Sequence, residues 1–121
     1  MPKVLIIDDD KTMVYLLKTL LEMDGFEVVE VRDWKAVLET VSIEKPDIIL
    51  MDFFLPNTDG LDILSKVRAE PDLAGTRVVM SSGMDVSDKC LAGGADAFLL
   101  KPFEPEALIE TLNMNIGEDV E

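Results

Sequence analysis

Residues 4–10 read VLIIDDD, a run of branched apolar residues that stops on three carboxylates. Four apolar residues without a polar interruption suit a strand covered on both faces. Such strands belong to parallel sheets layered between helices. The segments around this run agree with that reading. Asp10 can cap a helix from about Lys11 to Met23, whose apolar stripe is Val14, Leu17 and Leu21, widened by Met13 and Leu20. Gly25 stops that helix. Glu27 to Val31 is a second strand, more alternating and so suited to a sheet edge. Asp33 can cap a helix from about Trp34 to Ser42, and Pro46 and Asp47 turn the chain into a third strand, Ile48 to Met51.

Pro56 to Gly60 reads as a loop, and Leu61 to Ala69 as a helix with Leu61, Leu64 and Val67 on one face. Pro71 and Gly75 break the chain before a fourth strand, Arg77 to Ser81. A short helix near Ser87 to Leu91 ends at Gly93 and Gly94, and Ala97 to Leu100 forms a fifth strand. Pro105 suits the first turn of a last helix that runs to about Asn115 before Gly117. Five strands alternating with five helices predict an α/β fold with a parallel sheet and helices on both faces. Right-handed crossovers make that sheet doubly wound.

The 121 residues fit one domain, residues 1–121, and a hydrophobic content of 48% supplies a core. Acidic residues number 25 against 11 basic ones, a formal net charge of -14. That excess argues against direct binding of nucleic acid or an anionic membrane, whose phosphates it would repel. No apolar run approaches the roughly 20 residues of a membrane span. The carboxylates after Ile7 interrupt any signal-peptide pattern. Cys90 is the single cysteine, so no internal disulfide forms and a reducing cytoplasm fits. The chain has no histidine, which removes Ser-His-Asp triads, Cys-His pairs and histidine zinc sites.

In a doubly wound sheet, ligands sit at the carboxyl ends of the strands. Asp8, Asp9 and Asp10 follow the first strand, Asp52 the third, Ser81, Ser82 and Gly83 the fourth, and Lys101 and Pro102 the fifth. One pocket would then gather at least three carboxylates, a hydroxyl and an ammonium. Two carboxylates about 5 Å apart at an effective dielectric near 20 repel by roughly 3 kcal/mol, and three mutual pairs by about 10. Such a group takes up protons or holds a cation. All-oxygen ligands favour a hard ion, Mg²⁺ or Mn²⁺. With the ion and Lys101 in place, the pocket is near neutral and accepts an anion such as a phosphoryl group.

VLIIDDD, IILMDFFLPNTDG (residues 48–60), SSG (81–83) and GADAFLLKPF (94–103) together resemble response-regulator receiver domains. Each motif alone is common; the ordered set covers nearly the whole chain. The resemblance implies a flavodoxin-like sheet of order 2-1-3-4-5. It implies that Asp52 is the phosphoacceptor, forming an acyl phosphate. Asp8 and Asp9 would hold the metal, Asp9 directly and Asp8 partly through water, with the backbone carbonyl of Phe54 as a further ligand. Ser82 and Lys101 would bind phosphoryl oxygens, the Lys101–Pro102 peptide would be cis, and Phe98 would be an aromatic switch that turns inward as Ser82 moves. A histidine kinase or histidine phosphotransfer protein would supply the phosphoryl group. A downstream output domain or protein would read the surface of helix 4, strand 5 and helix 5. The chain would be a phosphoacceptor and not an enzyme with a separate substrate.

Taken singly, these residues have plainer readings. An Asp run before a helix is ordinarily a cap and solvated charge, which is the whole role of Asp10. Asp52, Ser82 and Lys101 could be loop or surface groups, Phe98 core, and Pro56 and Gly60 loop formers. Their joint placement at four strand ends favours the functional reading. Cys90 reads as a small core residue, and Trp34 lies away from the pocket.

Two features depart from the commoner receiver pattern. Phe54 and Met84 each stand two residues beyond a site residue, where they would flank the water that hydrolyses the acyl phosphate. Bulky apolar side chains there hinder that water, so slow self-dephosphorylation is expected. No arginine follows Arg77, and Lys89 and Lys101 are the only basic residues after Val78. The chain thus lacks half of the Arg/Lys–Asp/Glu ladder by which many receivers dimerise, and a monomer or weak dimer is expected. Three other functions fit these residues less well. A haloacid-dehalogenase-type phosphatase needs a second Asp where Phe54 stands. A flavodoxin-type flavin site needs hydroxyls and glycine where Asp8 and Asp9 stand. A receiver-like binding module that is never phosphorylated leaves the acid, hydroxyl and lysine set without a task.

Overall fold

The apolar runs form the layers the sequence predicts, in a computed structural model that describes residues 1–116. Lys3–Ile7 is strand β1, and its residues Val4 to Ile7 are each at most 1% exposed. Helix α1 (Lys11–Met23) follows, with the Asp10 carboxylate accepting the Met13 N–H at 3.0 Å. Gly25 turns the chain at φ +92°, which a side chain would resist. Strand β2 (Glu27–Val31) lies at the sheet edge.

The helix expected over residues 34–42 is two elements. Asp33 accepts the Lys35 N–H at 3.0 Å, two residues on, and the Ala36 N–H reaches the Asp33 carbonyl at 2.9 Å. That local capping tightens Trp34–Ala36 into a 3-10 turn before α2 (Val37–Glu44) begins. Helix α2 also runs two residues past Ser42, to a left-handed Lys45 that precedes Pro46.

The remaining strands are β3 (Ile48–Asp52), β4 (Arg77–Ser82) and β5 (Ala97–Leu100). The remaining helices are α3 (Gly60–Ala69), α4 (Ser87–Ala92) and α5 (Pro105–Ile116). Gly117, the expected stop of α5, lies outside the described residues. Part of the expected loop over 56–60 is ordered as a ribbon, Phe54–Leu55 paired antiparallel with Thr58–Asp59. Pro56 followed by Asn57 at φ 65° is the pattern of a type II turn, which closes the ribbon.

The five strands pair in parallel in the order β2-β1-β3-β4-β5. Alternate residues face opposite layers, as the period of a strand requires. Leu5, Ile7, Ile49, Met51, Val78 and Met80 pack with Val37 and Val41 of α2, Leu64 and Val67 of α3, and Cys90 of α4. Val4, Ile6, Ile48, Leu50 and Val79 pack with Leu17 and Leu21 of α1 and Leu108 and Leu112 of α5. Burial pushes the Cys90 thiol up from its ordinary pKa, in keeping with a core residue. No helix among the described residues is long and apolar enough to cross a membrane.

Arg68 ties the amino-terminal ends of β4 and β5 together. Its guanidinium donates to the carbonyls of Ala74 (3.0 Å), Thr76 (2.7 Å) and Gly94 (2.8 and 3.1 Å). It also donates to the Asp96 carboxylate at 3.1 Å, whose same oxygen accepts the Val78 N–H at 2.8 Å. Truncation would strand several of these acceptors at once. Arg68→Ala is therefore expected to lose about 2–3 kcal/mol in urea unfolding. A loss below about 0.5 kcal/mol would show that water replaces the guanidinium freely.

Candidate functional site

Parallel pairing sets the strand ends level. Ile7 is in register with Met51, Asp52 with Ser81, and Ser82 with Leu100. The residues that follow β1 and end β3 therefore leave neighbouring strands side by side. Asp8, Asp9 and Asp52 each offer an oxygen, and these oxygens lie within 4.8 Å of one another. Asp8 is buried, Asp9 is exposed, and the Asp52 side chain is 12% exposed.

Lys101 joins two of these acids. Its Nζ donates to Asp8 Oδ2 at 3.0 Å and stands 3.4 Å from Asp52 Oδ1. The other Asp8 oxygen accepts the Asp10 N–H at 3.0 Å, so both oxygens of that carboxylate are oriented. Lys101 is fixed from behind, where its own N–H donates to the Ser82 carbonyl at 2.8 Å. The Lys101–Pro102 peptide is cis. Ser82 is fully buried, and its Oγ accepts the Met84 N–H at 3.1 Å.

The segment after Asp52 is held as firmly. The Phe53 N–H donates to the Ser81 carbonyl at 2.8 Å, and the Phe53 carbonyl accepts the Gly60 N–H at 2.7 Å. A Cβ on residue 60 would stand 2.6 Å from the Asp52 carbonyl oxygen and would also strike the Met80 side chain. Gly60 is thus required by a close approach at the back of the site. Glycine before a helix reads in sequence as a loop former, so that role becomes visible only in three dimensions. The same holds for the carbonyls of Ser81 and Phe53.

The other expected site residues lie further out. Phe54 is half exposed on the ribbon, its ring edge-on to Phe53 with centroids 4.7 Å apart. Met84 is 62% exposed beyond Ser82. Phe98 is partly buried on β5 against the core layer that holds Cys90 and Met80. Trp34 lines a separate cleft beside α2 and α3.

Charge governs this cluster. Burial pushes the Asp52 carboxyl up to about 6; Lys101 pulls it down, and the charges of Asp8 and Asp9 add to the rise. Burial disfavours the Lys101 ammonium, but its hydrogen bond to Asp8 and the charges of Asp8 and Asp52 outweigh it, so its pKa stands above the usual range. An octahedral Mg²⁺ at about 2.0–2.1 Å from each oxygen needs oxygens about 2.9–4.1 Å apart. The three acids approach that spacing with oxygen donors only, and exposed Asp9 leaves the solvent side open. They fit a hard divalent cation.

The family model for the response regulator receiver domain matches residues 4–113. Alkaline phosphatase synthesis transcriptional regulatory protein PhoP of Bacillus subtilis is 33% identical over 105 residues, covering 85% of this chain and 43% of that one. The chain spans less than half the length of such curated relatives, 44%, 43% and 48% in three of them. The receiver domain of Francisella response regulator 1452 superposes with a TM-score of 0.86 at 30% identity, over 98% of this chain and 99% of that one. Chemotaxis response regulator CheY4 of Vibrio cholerae gives 0.86 at 29% identity, over 95% and 98%.

The raised Asp52 pKa sets a pH dependence. In the window from about 4 to about 6 the unfolded chain has lost this proton and the folded chain keeps it, so stability falls as pH rises through the window. In metal-free buffer at pH 7.5, Asp52→Asn is expected to be more stable than the parent by up to roughly 3 kcal/mol, with the gain shrinking toward pH 4. Urea unfolding at both pH values measures it. A variant less stable at pH 7.5 would mean that the Lys101 contact outweighs burial.

Proposed function

We propose that this chain, which belongs to the response regulator receiver domain family, is a phosphorylation-controlled switch in a two-component phosphorelay. The supporting observation is the convergence of Asp8, Asp9 and Asp52 within 4.8 Å, with Lys101 Nζ in contact with two of them. In this reading residues 1–121 form one receiver domain. It works in the cytoplasm with a histidine kinase or histidine phosphotransfer protein and with a downstream output domain or protein, and binds neither nucleic acid nor membrane directly.

Asp52 is the nucleophile. A carboxyl with a pKa of about 6 is mainly ionised at neutral pH. One oxygen attacks phosphorus in line; an O–P bond forms, the N–P bond of the donor phosphohistidine breaks, and the electron pair leaves with the imidazole. Lys101 swings its ammonium from Asp52 to a phosphoryl oxygen. Ser82 Oγ keeps accepting from the Met84 N–H and donates its own proton to another phosphoryl oxygen. Asp8, Asp9, Asp52 and the Phe54 carbonyl hold Mg²⁺ or Mn²⁺, which when bound supplies positive charge to the transferring group. Phe98, partly buried on β5, follows Ser82 inward and changes the surface of α4, β5 and α5. Phe54 and Met84 hinder the hydrolytic water, so the acyl phosphate persists. Without the basic half of the ladder on that surface, the phosphorylated chain remains a monomer or weak dimer.

Incubation with Mg²⁺ and acetyl phosphate is expected to add one phosphoryl mass, lost in Asp52→Ala. An unmodified parent would leave a binding module that takes no phosphate. Decay of the adduct is expected to take minutes or longer, and Phe54→Asn should speed it by about tenfold, or about 1.4 kcal/mol of barrier. A lifetime of seconds, or no acceleration, would contradict the role given to Phe54.

A further inference from the structure

Gly60 leaves one face of its Cα bare, and two groups close on that face. One is the Asp52 carbonyl oxygen, 2.6 Å from where a Cβ would stand; the other is the terminal methyl of Met80 on β4. The Gly60 N–H is tied to the Phe53 carbonyl at 2.7 Å, so Gly60 moves with the segment that carries Asp52. Met80 is 0% exposed. Close-packed interiors have low compressibility, so a displacement at Gly60 is passed on through Met80 and not absorbed there.

Parallel pairing shows where it goes. Met51, Met80 and Phe98 stand in register across β3, β4 and β5, and all three pack in the layer beneath α2, α3 and α4. Met51 directly precedes Asp52. Met51 and Met80 are fully buried, whereas Phe98 is only partly buried and is the member of the row with room to move. The cross-strand neighbour of Phe98 is thus Met80; Ser82 lies opposite Leu100, two residues further along. A ring that turns from β5 toward Ser82 crosses Met80. Methionine suits that place, because its unbranched thioether adapts to a moving neighbour and its sulfur packs favourably on aromatic rings.

We propose that Met80 is a positioning residue of the acidic site. Its methyl holds Gly60 against the Asp52 carbonyl, which keeps the Asp52 backbone where a cation can be bound, and its thioether carries a change at Asp52 to Phe98. The link to Phe98 rests on the proposed phosphorylation; the positioning for the cation does not.

Met80→Leu keeps volume and fold but ends short of Gly60. Val79→Ala, fully buried on the same strand but in the opposite layer, is the control for loss of packing. In Mg²⁺ titrations followed by backbone amide NMR, Met80→Leu is expected to weaken binding by about fivefold or more. Val79→Ala should stay within about twofold of the parent. Unchanged affinity in Met80→Leu, or an equal loss in Val79→Ala, would overturn the positioning. In protein whose adduct is confirmed by mass, the carbon-13-labelled ring of Phe98, assigned through Phe98→Leu, should shift its resonances. Met80→Leu carrying the same adduct should lose about half of that shift or more. No shift in the parent, or an undiminished one in Met80→Leu, would overturn the link. A parent chain that takes no phosphoryl group would overturn the proposed function and the link that rests on it, while the Mg²⁺ titration still decides the positioning.

Discussion

Like charges forced together at one end of the sheet are the constraint on which the rest of this structure depends. Asp8 and Asp52 leave neighbouring parallel strands at the same level, and Asp9 follows directly. Nothing in the backbone lets them separate without breaking the register of β1 and β3. The chain relieves the crowding in two ways. Lys101 enters from β5 and contacts Asp8 and Asp52, and burial leaves the Asp52 carboxyl closer to its neutral form. Neither completes the compensation, because Asp9 has no such partner among the described residues and Lys101 is shared. In the proposed function, a cation and a phosphoryl group would complete it together, and a static cluster of acids would become a switch.

The two ends of the sheet divide the work. At the amino-terminal ends of β4 and β5, Arg68 and Asp96 gather three backbone carbonyls and one N–H into a fixed knot. At the carboxyl ends, the side-chain contacts include ion pairs whose strength depends on the charge of Asp8 and Asp52. A change of charge at Asp52 therefore acts on this end and not on the Arg68 knot. The ribbon at Phe54–Asp59 lies at the same end as Asp52. Gly60 pins its far side against Asp52, whereas Phe54 projects half exposed into solvent.

What could be read from sequence is what depends on local periodicity. The uninterrupted run at 4–7 announced a doubly covered strand, Asp10 announced its helix, and the alternating run at 27–31 an edge strand. Asp8, Asp9 and Asp52 were legible as a group because strand ends in a parallel sheet must meet on one side. The parts that were not legible depend on distance in space. Asp33 looks like any helix cap, yet its carboxylate bonds two residues on and produces a 3-10 turn. Pro56 and Asn57 look like loop formers, yet they close a paired ribbon. Arg68 sits on the polar side of a helix pattern, and nothing near it in sequence reveals that two of its partners are 26 and 28 residues away.

Thermal unfolding during a magnesium titration tests the electrostatic claim most directly. At constant ionic strength, Mg²⁺ up to about 10 mM should raise the midpoint of the parent chain saturably, by about 3–6 °C for a ligand at some ten times its Kd. Asp9→Asn, which neutralises the exposed acid without leaving Lys101 unpaired, should lose most of that rise. An equal rise in both proteins, or none in the parent, would contradict the account.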